Sequence, residues 1–349
     1  MLDSGNGLAF RAARANGLQV SLLGLGCMGM SEFYGDSDEQ QSRDVIHYAV
    51  ERGVRFFDTA DVYGYGHNER LLGGALGGLP NRDEIVLATK GGIVRDSADS
   101  ASRAVNTSAD YISAAIDRSL ERLQTRIDLY YLHRVEEDGA RIEESMYALA
   151  AALQAGKIGA VGLSEVSERT IRRAETALRR ATEGVHGISA VQTEYSLMTR
   201  HIEIDGVDQT CRELGILLVA YSPICRGLLA DPGFNPGQLS CADFRRKLPR
   251  FTGDNLVHNQ RLVQGLAEIA RMEGLTAAQV ALAWVLSRGP HIVPIPGTRN
   301  PDRLDENIAA CRVALGAESL QRLDEMFALN SAAGTRYTAA AMHAYGLAL

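Results

Sequence analysis

The apolar positions of this chain follow two alternating rhythms. Stretches with helical spacing lead, one after another, into short runs that stay apolar at nearly every position. The spacing predicts helices over 39–52, 68–77, 109–123, 141–155, 167–181 and 205–214. Each leads into a strand, over 54–57, 84–89, 127–132, 158–163, 188–192 and 216–221 in the same order. Helices over 259–273 and 276–288 precede a strand over 291–295, and a helix over 301–310 follows. A looser alternation from Leu18 to Leu25 adds a strand near residue 22, so eight strands are expected, each followed by a helix. Continuous apolar runs are the mark of parallel strands buried on both faces. A single closed (β/α)8 barrel of the TIM type, an α/β fold, is the economical solution.

The alternative, an open doubly wound sheet, needs a dinucleotide-binding turn. Gly24-Leu25-Gly26-Cys27-Met28-Gly29 matches G-x-G-x-x-G. That fingerprint requires a helix to start on its last glycines, and Met30 to Asp38 reads as a loop. Two segments interrupt the rhythm. Residues 222–258, rich in Gly, Pro and charge, form a long connection after strand 7, of the kind that serves as a lid. Residues 331–349 form a polar and Ala-rich tail containing Thr335-Arg336-Tyr337. No linker or low-complexity tract divides 1–349 into separate domains.

Composition excludes several classes. With 349 residues, 46% hydrophobic, the chain supports a large core, and its net charge of −7 argues against nucleic acid or an anionic membrane as the main partner. The five cysteines (Cys27, Cys211, Cys225, Cys241 and Cys311) are scattered and form no C-x-x-C, which fits a reduced, cytoplasmic protein. The histidines show no H-E-x-x-H spacing, so no metal site is expected. The N-terminus has no apolar signal segment, and no apolar run approaches membrane-spanning length. No pattern in the sequence sets an oligomeric state.

In a (β/α)8 barrel the functional groups sit at the C-terminal ends of the strands. Strand two ends at Asp58, strand three at Lys90 and strand four at His133, with Tyr63 on the loop after Asp58. A lysine at the end of a buried strand needs a partner, and Asp58 is the neighbour available. An ammonium beside Tyr63 favours the phenolate, so Lys90 is expected to lower that tyrosine's pKa toward a value suited to proton transfer. His133 can hydrogen-bond the same small oxygen. Singly, these residues read as a structural ion pair, a core histidine and a rim aromatic. Four such groups at three consecutive strand ends point to a site. Met28, Met30, Phe33 and Tyr34 either line an apolar substrate pocket or pack on the rim.

At this point the sequence resembles the aldo-keto reductases. The matching motifs are Phe57-Asp58-Thr59-Ala60 through Tyr63-Gly64 to Asn68-Glu69, Thr89-Lys90, Tyr131-Leu132-His133, Gly162-Leu163-Ser164, Gln192-Thr193-Glu194-Tyr195, Tyr221-Ser222-Pro223, and Ile295-Pro296-Gly297-Thr298 with Glu306-Asn307. Gly26-Cys27-Met28-Gly29-Met30-Ser31 and Phe33-Tyr34-Gly35 look like the plant and bacterial subgroup with perakine-reductase-like and pyridoxal-reductase-like members. The resemblance implies a barrel with an N-terminal β-hairpin and a catalytic tetrad of Asp58, Tyr63, Lys90 and His133. It also implies NADPH (NADP+) lying across the barrel mouth. Tyr221 would stack on the nicotinamide, and Ser164 and Gln192 would bond its carboxamide. Gly26, Met28, Asp58, Ser222, Pro223, Gly227, Gly297, Thr298, Glu306 and Asn307 would complete the cofactor groove. Asn300 would cap a helix opening on Pro301, whose N-terminus suits the 2′-phosphate, with Arg303 and Arg299 as cations. Met28, Tyr34, Tyr63 and His133 would face the carbonyl substrate. Two departures stand out: many relatives carry Lys where Gly297 stands and Asn where Glu165 stands. Glu165 then reads as a rim carboxylate.

The expected activity is reduction of an aldehyde or ketone by hydride from NADPH, with Tyr63 as general acid. Two alternatives stay open. One is a Schiff-base aldolase-type barrel using Lys90, and the other a nucleotide-bound regulatory subunit with little turnover. The loops over 91–108, 222–258 and 331–349, where substrate specificity is expected to lie, carry no readable chemistry.

Overall fold

Eight parallel strands line up in sequence order in the computed structural model, which describes residues 8–14, 17–95, 97 and 104–344. The strands are β1 (Leu25–Gly26), β2 (Phe56–Asp58), β3 (Val86–Gly91), β4 (Leu129–Leu132), β5 (Val161–Ser164), β6 (Ile188–Glu194), β7 (Leu217–Tyr221) and β8 (Ile292–Ile295). Each pairs only with its neighbours in the sheet. The ends meet where Gly24 and Gly26 donate their N–H groups to the carbonyls of Pro294 and Pro296, at 3.0 and 3.3 Å. This seam accounts for the misleading glycine string. A Cβ on Gly24 would lie 2.7 Å from the Phe56 ring, and one on Gly26 2.8 Å from the Ile295 carbonyl oxygen. Gly24 and Gly26 let two backbones approach, and only a 3-10 turn over Met28–Met30 follows, with the first α-helix beginning at Glu39.

The helices are α1 (Glu39–Glu51), α2 (His67–Leu76), α3 (Ala109–Leu123), α4 (Ile142–Gln154), α5 (Glu168–Ala181), α6 (Val207–Leu214), α7 (Gly253–Glu273), α8 (Ala277–Ser287), α9 (Pro301–Ala309), α10 (Ala317–Met326) and α11 (Ala339–Ala344). Several start where capping chemistry requires. Asp38, Ser108, Ser167 and Asn300 each accept from a backbone N–H three residues on, and Thr276 with Gln279 forms a full capping box. Inward-facing strand residues such as Phe56, Leu129, Val219 and Val293 fill the barrel, and a larger apolar shell packs the strands against the helices.

Three expectations are corrected. The strand placed near residue 22 lies at Leu25–Gly26. Gln19–Ser21, exposed at Gln19 and buried at Val20 and Ser21, instead pairs antiparallel with Phe10–Ala12. This hairpin packs Ala13 and Val20 against the barrel interior, which explains why its pattern resembled a barrel strand. Helix α7 starts at Gly253, six residues earlier than the spacing suggested. α10 and α11 were not expected at all. The connection expected over 222–258 is, up to α7, a chain of short 3-10 turns whose Leu228, Leu229, Phe234, Leu248 and Phe251 are buried, and its last residues form the start of α7. Of the loop expected over 91–108, residues 96 and 98–103 lie outside the described residues, as do 345–349 of the tail. Among the described residues no single helix is long and apolar enough to cross a membrane, and no cluster of three His, Cys, Asp or Glu residues is arranged to hold a metal ion.

Candidate active site

Strand register brings the expected residues together. Asp58 pairs with Ala88 of β3, and Lys90, two residues on, shares the inward face. The Lys90 ammonium donates to Asp58 Oδ1 at 2.5 Å and to the Thr59 carbonyl at 2.8 Å, with both side chains buried. Tyr63 sits on the turn after β2, its ring centroid 5.2 Å from Lys90 Nζ. Gly64, at φ 56°, lets the chain double back there. His133 follows β4 and meets the Tyr63 ring edge-on, centroids 5.7 Å apart. Below them Asn68 donates to the Cys27 carbonyl and accepts from Thr59. Glu69 accepts from Thr89 and from Arg122. These two buried residues tie α2 to β1, β2 and β3, which gives the Asn68-Glu69 motif a physical role.

The electrostatics correct one expectation. Tyr63 is pushed well above the ordinary tyrosine range, first by burial and then by the Asp58 carboxylate, with Arg134 opposing. Lys90 is not among the main influences on it, because Asp58, 2.5 Å away, opposes the ammonium's field. The hydroxyl therefore stays protonated at neutral pH. Burial lowers Lys90 against the pull of Asp58. His133 is held well below the usual histidine range by burial and by the cations Lys90 and Arg134, so its ring is neutral. Its Nδ1 is sealed without a partner, which leaves Nε2 as the nitrogen facing the cavity.

Tyr63 and His133 open into a cavity of about 1390 Å³ that runs along the C-terminal ends of the strands to the start of α9. Asp58 and every other residue expected to touch the cofactor line it, as do Met30, Phe33 and Tyr34. Lys90 lies beneath the wall and does not line it. At the far end Asn300 caps α9 by accepting from the Arg303 N–H, with Pro301 at its first position. Volume, a tyrosine face and a cation-bearing helix N-terminus fit an extended dinucleotide phosphate.

A model of the aldo/keto reductase family matches residues 22–328. The chain belongs to the aldo-keto reductase family. It is 41% identical over 323 residues to "Probable aldo-keto reductase 1" from Glycine max, covering 92% of this chain and 89% of that protein. It is 39% identical over 321 residues to "Aldo-keto reductase yakc [NADP(+)]" from Schizosaccharomyces pombe, covering 91% and 92%. Among solved structures it resembles the glycerol dehydrogenase AKR11B4 from Gluconobacter oxydans, with a TM-score of 0.78, 26% identity, and 91% and 95% of the two chains covered.

As an aldo-keto reductase the chain has five features that its sequence did not reveal. Gln192 donates to Asp58 Oδ2 at 2.8 Å. A carboxylate only accepts, so the amide nitrogen faces Asp58 and Oε1 is turned away from it. Arg134, directly after His133, donates to the His133 carbonyl and to Ser164 Oγ. A cation next to a strand-end histidine was the available signal. Arg299 is engaged with the backbone carbonyls of Tyr34 and Asp36 across the groove, whereas Arg303 is exposed. Glu165, expected as a rim carboxylate, has a buried side chain and is ion-paired at 3.0 Å to Arg336 of the C-terminal tail. Gly297 stands at the seam, where a Cβ would lie 2.9 Å from the Gly26 carbonyl oxygen.

Proposed function

We propose that Asp58, Tyr63, Lys90 and His133 carry out the NADPH-dependent reduction of an aldehyde or ketone to the alcohol. Family membership makes the chain an oxidoreductase, and the fission-yeast relative's name specifies NADP(+). One observation carries the residue assignment: the buried Asp58–Lys90 pair lies beneath a Tyr63 hydroxyl kept protonated beside a neutral His133.

A bound nicotinamide supplies the hydride. Tyr63 donates its proton to the carbonyl oxygen as negative charge develops there. His133 Nε2 orients that oxygen. Lys90 and Asp58 hold the floor of the site, and Gln192 fixes the second oxygen of Asp58. Tyr221 offers a face to the nicotinamide, and Ser164 and the Oε1 of Gln192 suit its carboxamide. Arg303, with Arg299 beside it, suits the 2′-phosphate at the start of α9. The connection over 222–258 acts as the lid of this groove, and 1–349 works as one unit in the cytoplasm.

The Schiff-base alternative needs substrate to reach the lysine. Lys90 is fully buried and paired, which argues against it. The deciding experiment follows NADPH oxidation over short aldehydes, α-dicarbonyls, aromatic aldehydes and pyridoxal, with borohydride trapping in parallel. Oxidation without trapped lysine is expected. A trapped Lys90 adduct would favour the aldolase reading, and no turnover on any carbonyl would favour the regulatory one.

A further inference from the structure

Two carboxylates at neighbouring strand ends hold the two irregular segments of the chain. Glu194, fully buried on β6, accepts from Arg226 and Arg250 of the 222–258 connection, at 3.0 and 3.5 Å. Glu165, just past β5, sits in the left-handed region at φ 53°. A glutamate gains nothing locally from that backbone, so the carboxylate has to justify it. Its Oε1 accepts from the Glu194 N–H at 2.9 Å and from Arg336 at 3.0 Å, and Oε2 accepts from Arg336 at 3.1 Å. Arg336 is 8% exposed. The Arg336 charge holds Glu165 down to about 2, against its burial. Arg250 links the two segments by donating to the Gly334 carbonyl at 3.2 Å.

The consequence lies one residue on. Tyr337 lines the cavity, with its hydroxyl 3.2 Å from that of Tyr221 and the Arg226 guanidinium 4.7 Å over its ring. Tyr221 is the ring offered to the nicotinamide, so this hydroxyl contact sets Tyr337 at the reacting end of the groove, and Tyr34 and Tyr63 line the same cavity. We propose that the Glu165–Arg336 ion pair is a clasp that positions Tyr337 as a wall of the carbonyl pocket, so that Glu165 serves the substrate side of the site and not the nicotinamide amide. This rests on the reductase reading above.

The test compares Glu165→Gln, Arg336→Met, Tyr337→Ala and the double variant Arg336→Met/Tyr337→Ala in NADPH-saturated kinetics with a bulky aromatic aldehyde. Each single change should raise the aldehyde KM by about tenfold, with a smaller effect on kcat. The double variant should be no worse than Tyr337→Ala, because both changes remove one wall. NADPH affinity, read by fluorescence titration, should stay within about twofold in Glu165→Gln. Additive effects in the double variant would overturn the clasp. So would a tenfold loss of NADPH affinity in Glu165→Gln at unchanged aldehyde KM, which would return Glu165 to the cofactor. If Arg336→Met does not fold, Arg336→Lys keeps the charge but not the planar guanidinium whose Nη1 bonds both Glu165 oxygens. Hydrogen exchange at Tyr337 and Thr338 then reads docking without turnover. Faster exchange than in the wild type supports the clasp, and unchanged exchange overturns it. Because exchange needs no substrate, it separates failure of the clasp from failure of the reductase reading.

Discussion

Replacing Lys90 by methionine tests the buried pair beneath the site. Methionine has similar length and fills the space, so a cavity contributes little. What is lost is the ammonium, which donates to Asp58 and to the Thr59 carbonyl. Asp58 is 3% exposed and would keep a single donor, the Gln192 amide. Removing one partner of a buried pair typically costs about 3–5 kcal/mol, mostly from stranding the other charge. The surviving Gln192 bond places the expected loss at the lower end, about 3 kcal/mol. Urea unfolding would measure it as a fall in midpoint at unchanged slope. The double variant Asp58→Asn/Lys90→Met removes both charges, and should recover more than about 1 kcal/mol relative to the sum of the singles. A loss below about 1 kcal/mol in Lys90→Met would refute the reasoning, because it would mean that cavity water solvates the carboxylate as well as the lysine does.

Tyr63→Phe keeps the ring and removes the proton, so kcat should fall by about 100-fold or more while NADPH affinity holds; full activity with saturating NADPH would reject Tyr63 as the acid. Because Tyr63 sits well above the ordinary range, its protonated form persists into alkaline solution, and the wild-type reduction rate should show no Tyr63-dependent fall below about pH 10. Arg303→Ala should weaken NADPH and leave NADH nearly unchanged in fluorescence titrations; equal losses for both would move the 2′-phosphate elsewhere. His133 has a depressed value in the folded state, so the unfolded chain binds the extra proton first. Stability should therefore be intact above about pH 6.5 and decline as pH falls from there toward the folded value, a slope that His133→Leu should reduce in pH-dependent melts.

Short-range patterns made most of the frame legible. The helix starts at Asp38, Ser108, Ser167, Thr276 and Asn300 rest on bonds that span three residues, so sequence alone places them well. The strand ends carrying Asp58, Lys90 and His133 were legible because a charge stops an apolar run sharply. The first strand was misplaced because the loose alternation from Leu18 to Leu25 spans both the hairpin strand at Gln19–Ser21 and the barrel strand at Leu25–Gly26, and pattern does not say which partner a strand will meet.

The sequence by itself determined the succession of elements and the residue types at the strand ends, since both depend on neighbours within a turn or two. Tertiary structure decided which groups share a proton or a charge. Glu165 meets Arg336 from 171 residues away, and Gln192 reaches Asp58 across 134. Nothing in local periodicity encodes such pairings. They arise when barrel closure brings distant strand ends onto one rim, where burial makes every unpaired charge costly and so selects its partner. The pairing of β2 with β3 sets Asp58 against Lys90, where the carboxylate opposes the ammonium's field, and burial is the first cause that holds Tyr63 protonated.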